Sequence, residues 1–226
     1  MFGDYVLAVT EGIEHLVIPK GAKVVGANVC KGNTNLKSVT FPESVVEIQR
    51  SAFEGCTNLE SVVLPRSLEY LGEWAFASSG LKSIEIPGSV KDTCWSTFEH
   101  CKNLERAVLG EGIKWIQNTF EGCSKLKEVV LPESLETVGE YSFAASGLEE
   151  IIIPDGVKQI GLLSFRYCSK LKKVVIPESV TSIVYDRNNG LGGPFDNGND
   201  ELVLYVKEGS QAHKVAEYEG INYCLE

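Results

Sequence analysis

The chain has 226 residues, 43% of them hydrophobic and 23% charged, an ordinary balance for a domain long enough to bury a real core. Its formal charge of −10 argues against nucleic acid and against an anionic membrane surface, both of which would repel it. No run approaches the roughly 20 apolar residues needed to cross a bilayer, so membrane insertion is not expected. The opening MFGDYVLAVTEG lacks the basic and apolar regions of a signal peptide, which fits a chain kept inside the cell or a mature or excised domain.

Taken in chain order, a repeat emerges. Prolines at Pro19, Pro42, Pro65, Pro87, Pro132, Pro154 and Pro177 recur every 22 or 23 residues, with one period skipped where Gly110 stands in the proline's place. Residues 1–40 read as an N-terminal cap and a degenerate first repeat, because Ala22 and Cys30 stand where later turns carry valine and phenylalanine. Residues 41–183 carry the regular turns. Before each proline, three apolar sites recur: Leu36, Leu59, Leu81, Leu104, Leu126, Leu148 and Leu171; then Val39, Val62, Ile84, Ala107, Val129, Ile151 and Val174; then Phe41, Leu64, Ile86, Leu109, Leu131, Ile153 and Ile176. The second and third sites lie two apart, as alternation along a strand requires. After the proline comes an apolar pair such as Val45 and Ile48 or Leu135 and Val138, and then Phe53, Phe76, Phe98, Phe120, Phe143 or Phe165.

One coil cannot bury these side chains alone, whereas stacked coils can. The period matches leucine-rich repeats, and the columns predict a mostly β solenoid of about eight coils with stacked parallel strands, in a single domain. Two turns are one residue shorter, carrying ASSGL (Ala77–Leu81) and AASGL (Ala144–Leu148); glycine is expected to permit the tighter turn. Residues 184–226 read as an irregular last repeat and a C-terminal cap. The insertion Tyr185–Glu201 is rich in Gly, Asn and Asp, as exposed loops are, and Phe195 is placed to return to the phenylalanine ladder. Asp186, Asp196 and Asp200 invite a calcium reading, although the order of a known calcium loop is absent. Ser210 is placed to N-cap a short helix through about Glu217, with Ala212, Val215 and Ala216 inward.

The unit I-P-x-S-V-x-x-I-x-x-x-A-F-x-x-C-x-x-L-x-x-V-x, clearest in FPESVVEIQRSAFEGCTNLESVVLP (Phe41 to Pro65), closely resembles the BspA-type leucine-rich repeat. The resemblance spans about residues 13–183 and implies a bacterial or protist surface or secreted protein, with adhesion to host matrix proteins or other cells as its role.

Little suggests catalysis. His15, His100 and His213 lie in different turns, and no clustered nucleophile, acid and base or glycine-rich phosphate loop is present. No enzyme activity, cofactor or metal is expected. Of seven cysteines, Cys56, Cys101, Cys123 and Cys168 share one inward column and read as small buried thiols; a bridge between Cys101 and Cys123, on adjacent coils, stays open.

The outward column of the strands holds Thr40, Val63, Glu85, Val108, Val130, Ile152 and Val175, flanked by Arg106, Glu128, Glu150 and Lys173. Mostly apolar, it predicts a continuous stripe suited to a protein partner, although β-branched residues suit any sheet. Tyr70 and Trp115 share another outward column and are candidate hot-spot or sugar-stacking residues. Trp74, Trp95 and Tyr141 are read as covering the coil's outer edge. The expected function is a monomeric, non-catalytic, extracellular or cell-surface recognition module binding a protein partner. A structural spacer or stalk and a glycan-binding module are the alternatives.

Overall fold

The structure, a computed structural model, describes residues 5–6, 9, 12–93, 95–186, 192–196 and 199–226. It is a β-solenoid of about nine turns with one short helix near its C-terminal end. The expected count of eight falls short because the chain before Pro19 already supplies a strand of its own, paired with the strand of the next coil.

Two sides of the solenoid carry short strands, numbered in chain order; Ser61–Leu64 run along the first side without forming one. The first side holds β2 (His15–Val17), β4 (Ser38–Thr40), β7 (Ser83–Ile86), β9 (Arg106–Leu109), β11 (Glu128–Val130), β13 (Glu150–Ile152), β15 (Lys173–Ile176), β17 (Val203–Val206) and β18 (Asn222–Leu225). The second holds β1 (Tyr5–Val6), β3 (Val24–Val25), β5 (Glu47–Ile48), β6 (Tyr70–Leu71), β8 (Asp92–Thr93), β10 (Trp115–Ile116), β12 (Thr137–Val138), β14 (Gln159–Ile160) and β16 (Ser182–Ile183). Every strand pair is parallel, because each coil returns to the same side in the same direction. The leucine column and the paired post-proline residues are buried throughout, as are the six ladder phenylalanines. At the second and third strand sites the expected burial is incomplete: Phe41, Val62, Val129 and Leu131 are only partly buried.

The third side has no strands among the described residues. Six phenylalanine rings stack along it at centroid separations of 5.1 to 5.8 Å. Phe195 adds a seventh ring, 5.7 Å from Phe165, so the insertion does return to the ladder. Cys30 occupies the phenylalanine position at the other end, and Phe41 meets Phe53 edge-on at 5.8 Å. The phenylalanine N–H donates to the next coil, as from Phe53 to the Ala75 carbonyl (2.8 Å) and from Phe120 to the Ser142 carbonyl (2.9 Å).

This side works because two residues per coil, four apart, adopt left-handed backbone, as at Ser51 and Gly55, Ser96 and His100, or Tyr141 and Ala145. Both also donate forward: Ser51 N–H to the Glu73 carbonyl and Gly55 N–H to the Ala77 carbonyl, each at 2.8 Å. An L-residue in this conformation costs roughly 1–2 kcal/mol, so each coil trades local strain for inter-coil hydrogen bonds.

In the short turns the reason for glycine differs from the expected one. Gly80 and Gly147 are not left-handed; Ser78 and Ala145 are. A Cβ at Gly80 would lie 2.1 Å from the Thr57 carbonyl oxygen, and one at Gly147 would lie 2.4 Å from that of Ser124. Close approach of neighbouring coils, rather than backbone freedom, excludes a side chain there.

Helix α1 (Gln211–Glu219) closes the C-terminal end. Ser210 Oγ accepts the His213 N–H (3.1 Å), Gly220 ends the helix in left-handed backbone, and Ala212, Val215 and Ala216 are buried, as expected.

Candidate partner-binding face

The outward residues of the first side fall in register. Glu85, Val108 and Val130 are Cα partners across β7, β9 and β11, and Ile152, Val175 and Tyr205 across β13, β15 and β17. The expected stripe is not continuous, however. This side is three sheets, β2–β4, β7–β9–β11 and β13–β15–β17–β18. Each short turn leads into a strand (β7, β13) that is unpaired with the coil before it. Both breaks thus coincide with a turn one residue short, although at the first the Lys82 N–H still reaches the Glu60 carbonyl at 3.0 Å.

The result is two apolar patches and an outlier. Val108 and Val130 form the first patch, with Val108 half-buried and Val130 exposed. Ile152, 67% exposed, and the half-buried Val175 and Tyr205 form the second. Val63, 85% exposed, stands apart beside the first break. Val17 is exposed as well.

Charged neighbours frame the patches. Arg106 Nε lies 3.0 Å from Glu128 Oε1, and its NH1 lies 3.9 Å from Glu85 Oε1. Glu150 stands opposite Lys173 in register, and the Lys173 ammonium sits 4.9 Å from the centre of the Tyr205 ring. These groups are at least partly solvated, so each pair contributes at most ~1 kcal/mol; their effect is to fix which charge meets an approaching surface.

Tyr205 was missed in the sequence because the insertion hides the period; the alternation in LVLYVKEG was the available signal. Tyr70 and Trp115 lie in the same column but in two separate sheets, with Asp92 of the intervening coil between them. Trp115 is half-buried. Of the edge aromatics, Trp74 donates through Nε1 to Glu99 Oε2 (3.0 Å) beneath the Arg50 guanidinium, and Trp95 is exposed.

Cys101 and Cys123 are free thiols, as are Cys30, Cys56, Cys168 and Cys224; Cys94 lies outside the described residues. In the shared column each thiol donates to a carbonyl of the preceding coil, Cys101 to Phe76 (3.1 Å) and Cys168 to Phe143 (3.0 Å). In the short turns Ser79 and Ser146 take that column and touch the Cys101 and Cys168 sulfurs at 3.3 Å. Burial pushes the Cys101 thiol from its ordinary 9.0 to about 11, and Cys56 to about 12. Thiolate chemistry is therefore suppressed.

Two results follow. Ellman's reagent at pH 8 should modify the exposed Cys224 quickly, and the five described buried thiols only on unfolding. A raised thiol pKa contributes stability in full below pH 9 and loses it as pH rises toward 11–12, because the unfolded chain gives up its protons first. The melting temperature should accordingly fall between pH 8 and pH 10, and fall less in Cys101→Ser.

Among the described residues, no group of three or more His, Cys, Asp or Glu could hold a metal ion. Residues 187–191 and 197–198 of the candidate calcium loop lie outside the described residues.

The model of the BspA-type leucine-rich-repeat region matches six copies over residues 1–119 and 113–186. No protein of curated function matches the chain. A leucine-rich-repeat protein from Bacteroides ovatus is 24% identical at a TM-score of 0.64, over 89% of this chain and 59% of that one. One from Eubacterium ventriosum is 26% identical at 0.61, over 66% and 41%. The pneumococcal vaccine antigen PcpA is 21% identical at 0.56, over 95% and 68%. The chain thus spans between two fifths and three fifths of the first two structures it matches.

Proposed function

Because the chain belongs to the BspA-type leucine-rich-repeat family, we propose that it is a non-catalytic recognition module of a bacterial surface protein, holding a protein partner on the outward face of β9–β17. The observation that carries this reading is the Ile152–Val175–Tyr205 patch, with an isoleucine two-thirds exposed at the end of β13, the edge strand of its sheet. Solvated β-branched residues suit a sheet on their own account. A large apolar residue, an aromatic ring and a cation together are the composition of a contact surface. The likeness of fold to a pneumococcal antigen supports a place at the cell surface.

A host matrix protein or another cell-surface protein is the partner class. The test is a binding panel of purified matrix proteins against the wild-type chain and Val130→Lys/Ile152→Lys. Both side chains are exposed, so the variant should melt within about 1 kcal/mol of wild type. Wild type should bind at least one panel member, and the variant should lose that binding at least about tenfold. Unchanged binding by a folded variant sinks the face assignment. A wild-type chain that binds none of the panel favours the spacer or stalk.

A further inference from the structure

We propose that the first break in the sheet is a docking groove for an extended peptide segment of a partner protein, held largely through its backbone. Four consecutive residues, Ser61–Leu64, run between β4 and β7 with none of their backbone N–H or C=O groups in a backbone hydrogen bond. On one side β4 is paired only with β2, so its other edge is open. A groove of about 270 Å³ separates the two segments; Val39, Phe41, Val62 and Pro65 line it, and Glu43 stands at its lip. Phe41 and Val62 belong to columns that are otherwise mostly buried, yet both are only partly covered.

The occupant follows from what is unsatisfied. Within each of the three sheets of this side the ladder uses its backbone groups between coils. Here a row of donors and acceptors has no backbone partner, and another extended backbone is the partner that matches such a row in series. The apolar floor takes an apolar side chain from alternate positions of that strand. The Glu43 carboxylate, whose Oε2 accepts the Arg66 N–H at 3.0 Å, keeps its negative charge at the groove and favours a lysine or arginine beside it on a chain of net charge −10. The groove lies three coils from Val130 along the outward column, so it is independent of the patch proposed above.

The test uses the full chain, immobilised, against a phage-displayed library of random linear peptides. Enriched peptides should alternate apolar residues and carry a basic one. Synthetic copies should bind at least about tenfold more weakly to Val62→Lys and to Val63→Pro, which removes one backbone donor. Val130→Lys/Ile152→Lys should leave their affinity unchanged. N-methylation of every second peptide residue should abolish binding in one phase and be tolerated in the other, because alternate amides of a strand face one edge. Val62→Lys keeps the test valid where Val63→Pro unfolds. No enrichment, full affinity for Val62→Lys, or indifference to the phase of methylation overturns the proposal. Loss confined to the Val130/Ile152 variant overturns it too and assigns the peptides to the other patch.

Discussion

Gly110→Pro, the change that restores the residue found at this position in seven other turns, should destabilise the protein by about 3 kcal/mol or more. Repeat logic alone points the other way. The turn itself is of the ordinary kind: Ile113 N–H reaches the Gly110 carbonyl at 3.4 Å, as Val45 reaches Pro42 and Leu135 reaches Pro132 at 3.2 and 3.1 Å. What differs is the neighbouring coil. Gly110 N–H donates to the Ile86 carbonyl at 2.8 Å, a bond that proline cannot make. A Cβ there would lie 2.4 Å from the Gly88 nitrogen, and a Cβ at Gly88 would lie 1.8 Å from the Glu111 carbonyl oxygen. The two coils touch backbone to backbone at Gly88 and Gly110, and neither glycine has room for a side chain. Gly110→Ala keeps the donor but not the space, so it should fall between the two. Urea unfolding midpoints rank the three, and a midpoint raised by proline would refute the account.

Phe120→Ala should cost about 4 kcal/mol, the middle of the range for emptying a buried phenylalanine site. Its ring is fully buried between Phe98 at 5.7 Å and Phe143 at 5.8 Å, so deletion removes two stacks and leaves a void in the middle of the ladder. In a solenoid each coil is stabilised by its neighbours, and a central defect therefore separates the rod into two halves. Thermal unfolding by circular dichroism should broaden or split into two transitions. Phe195→Ala, at the end of the ladder with a single stacking partner among the described residues, should cost less and keep one transition. Equal losses at the two sites would show that coupling along the ladder is weak.

The columns made most of the fold legible because a 22–23-residue period places like residues over like, and burial then follows from position. Leu126, Phe143, Ile116 and the capping Ser210 stand where their sequence contexts imply. Legibility stopped where one coil's geometry depends on the next. Val108 and Ile152 read as parts of one stripe, yet the sheet breaks between their strands, because register between coils is invisible in any single repeat. Tyr205 lay beyond an insertion that erases the period. Gly80 and Gly147 looked like conformational glycines and are steric ones, which only the distance to Thr57 or Ser124 reveals. For the candidate face, which residues point outward was readable; how they divide into patches was not.

The one-way donation along the phenylalanine side has a consequence for the tips of the rod. There each coil's backbone amides at the phenylalanine and left-handed positions donate toward the C-terminal end, and the matching carbonyls accept from the N-terminal side. A cut anywhere in the middle exposes two complementary surfaces, so whole units can be gained or lost without leaving orphaned amides. The insertion obeys the same demand, since Pro194 and Asp196 supply the carbonyls that Phe165 and Tyr167 require. Along this side two identical tips present like groups to one another, so end-on contact between copies can satisfy them only head to tail, never as a symmetric pair.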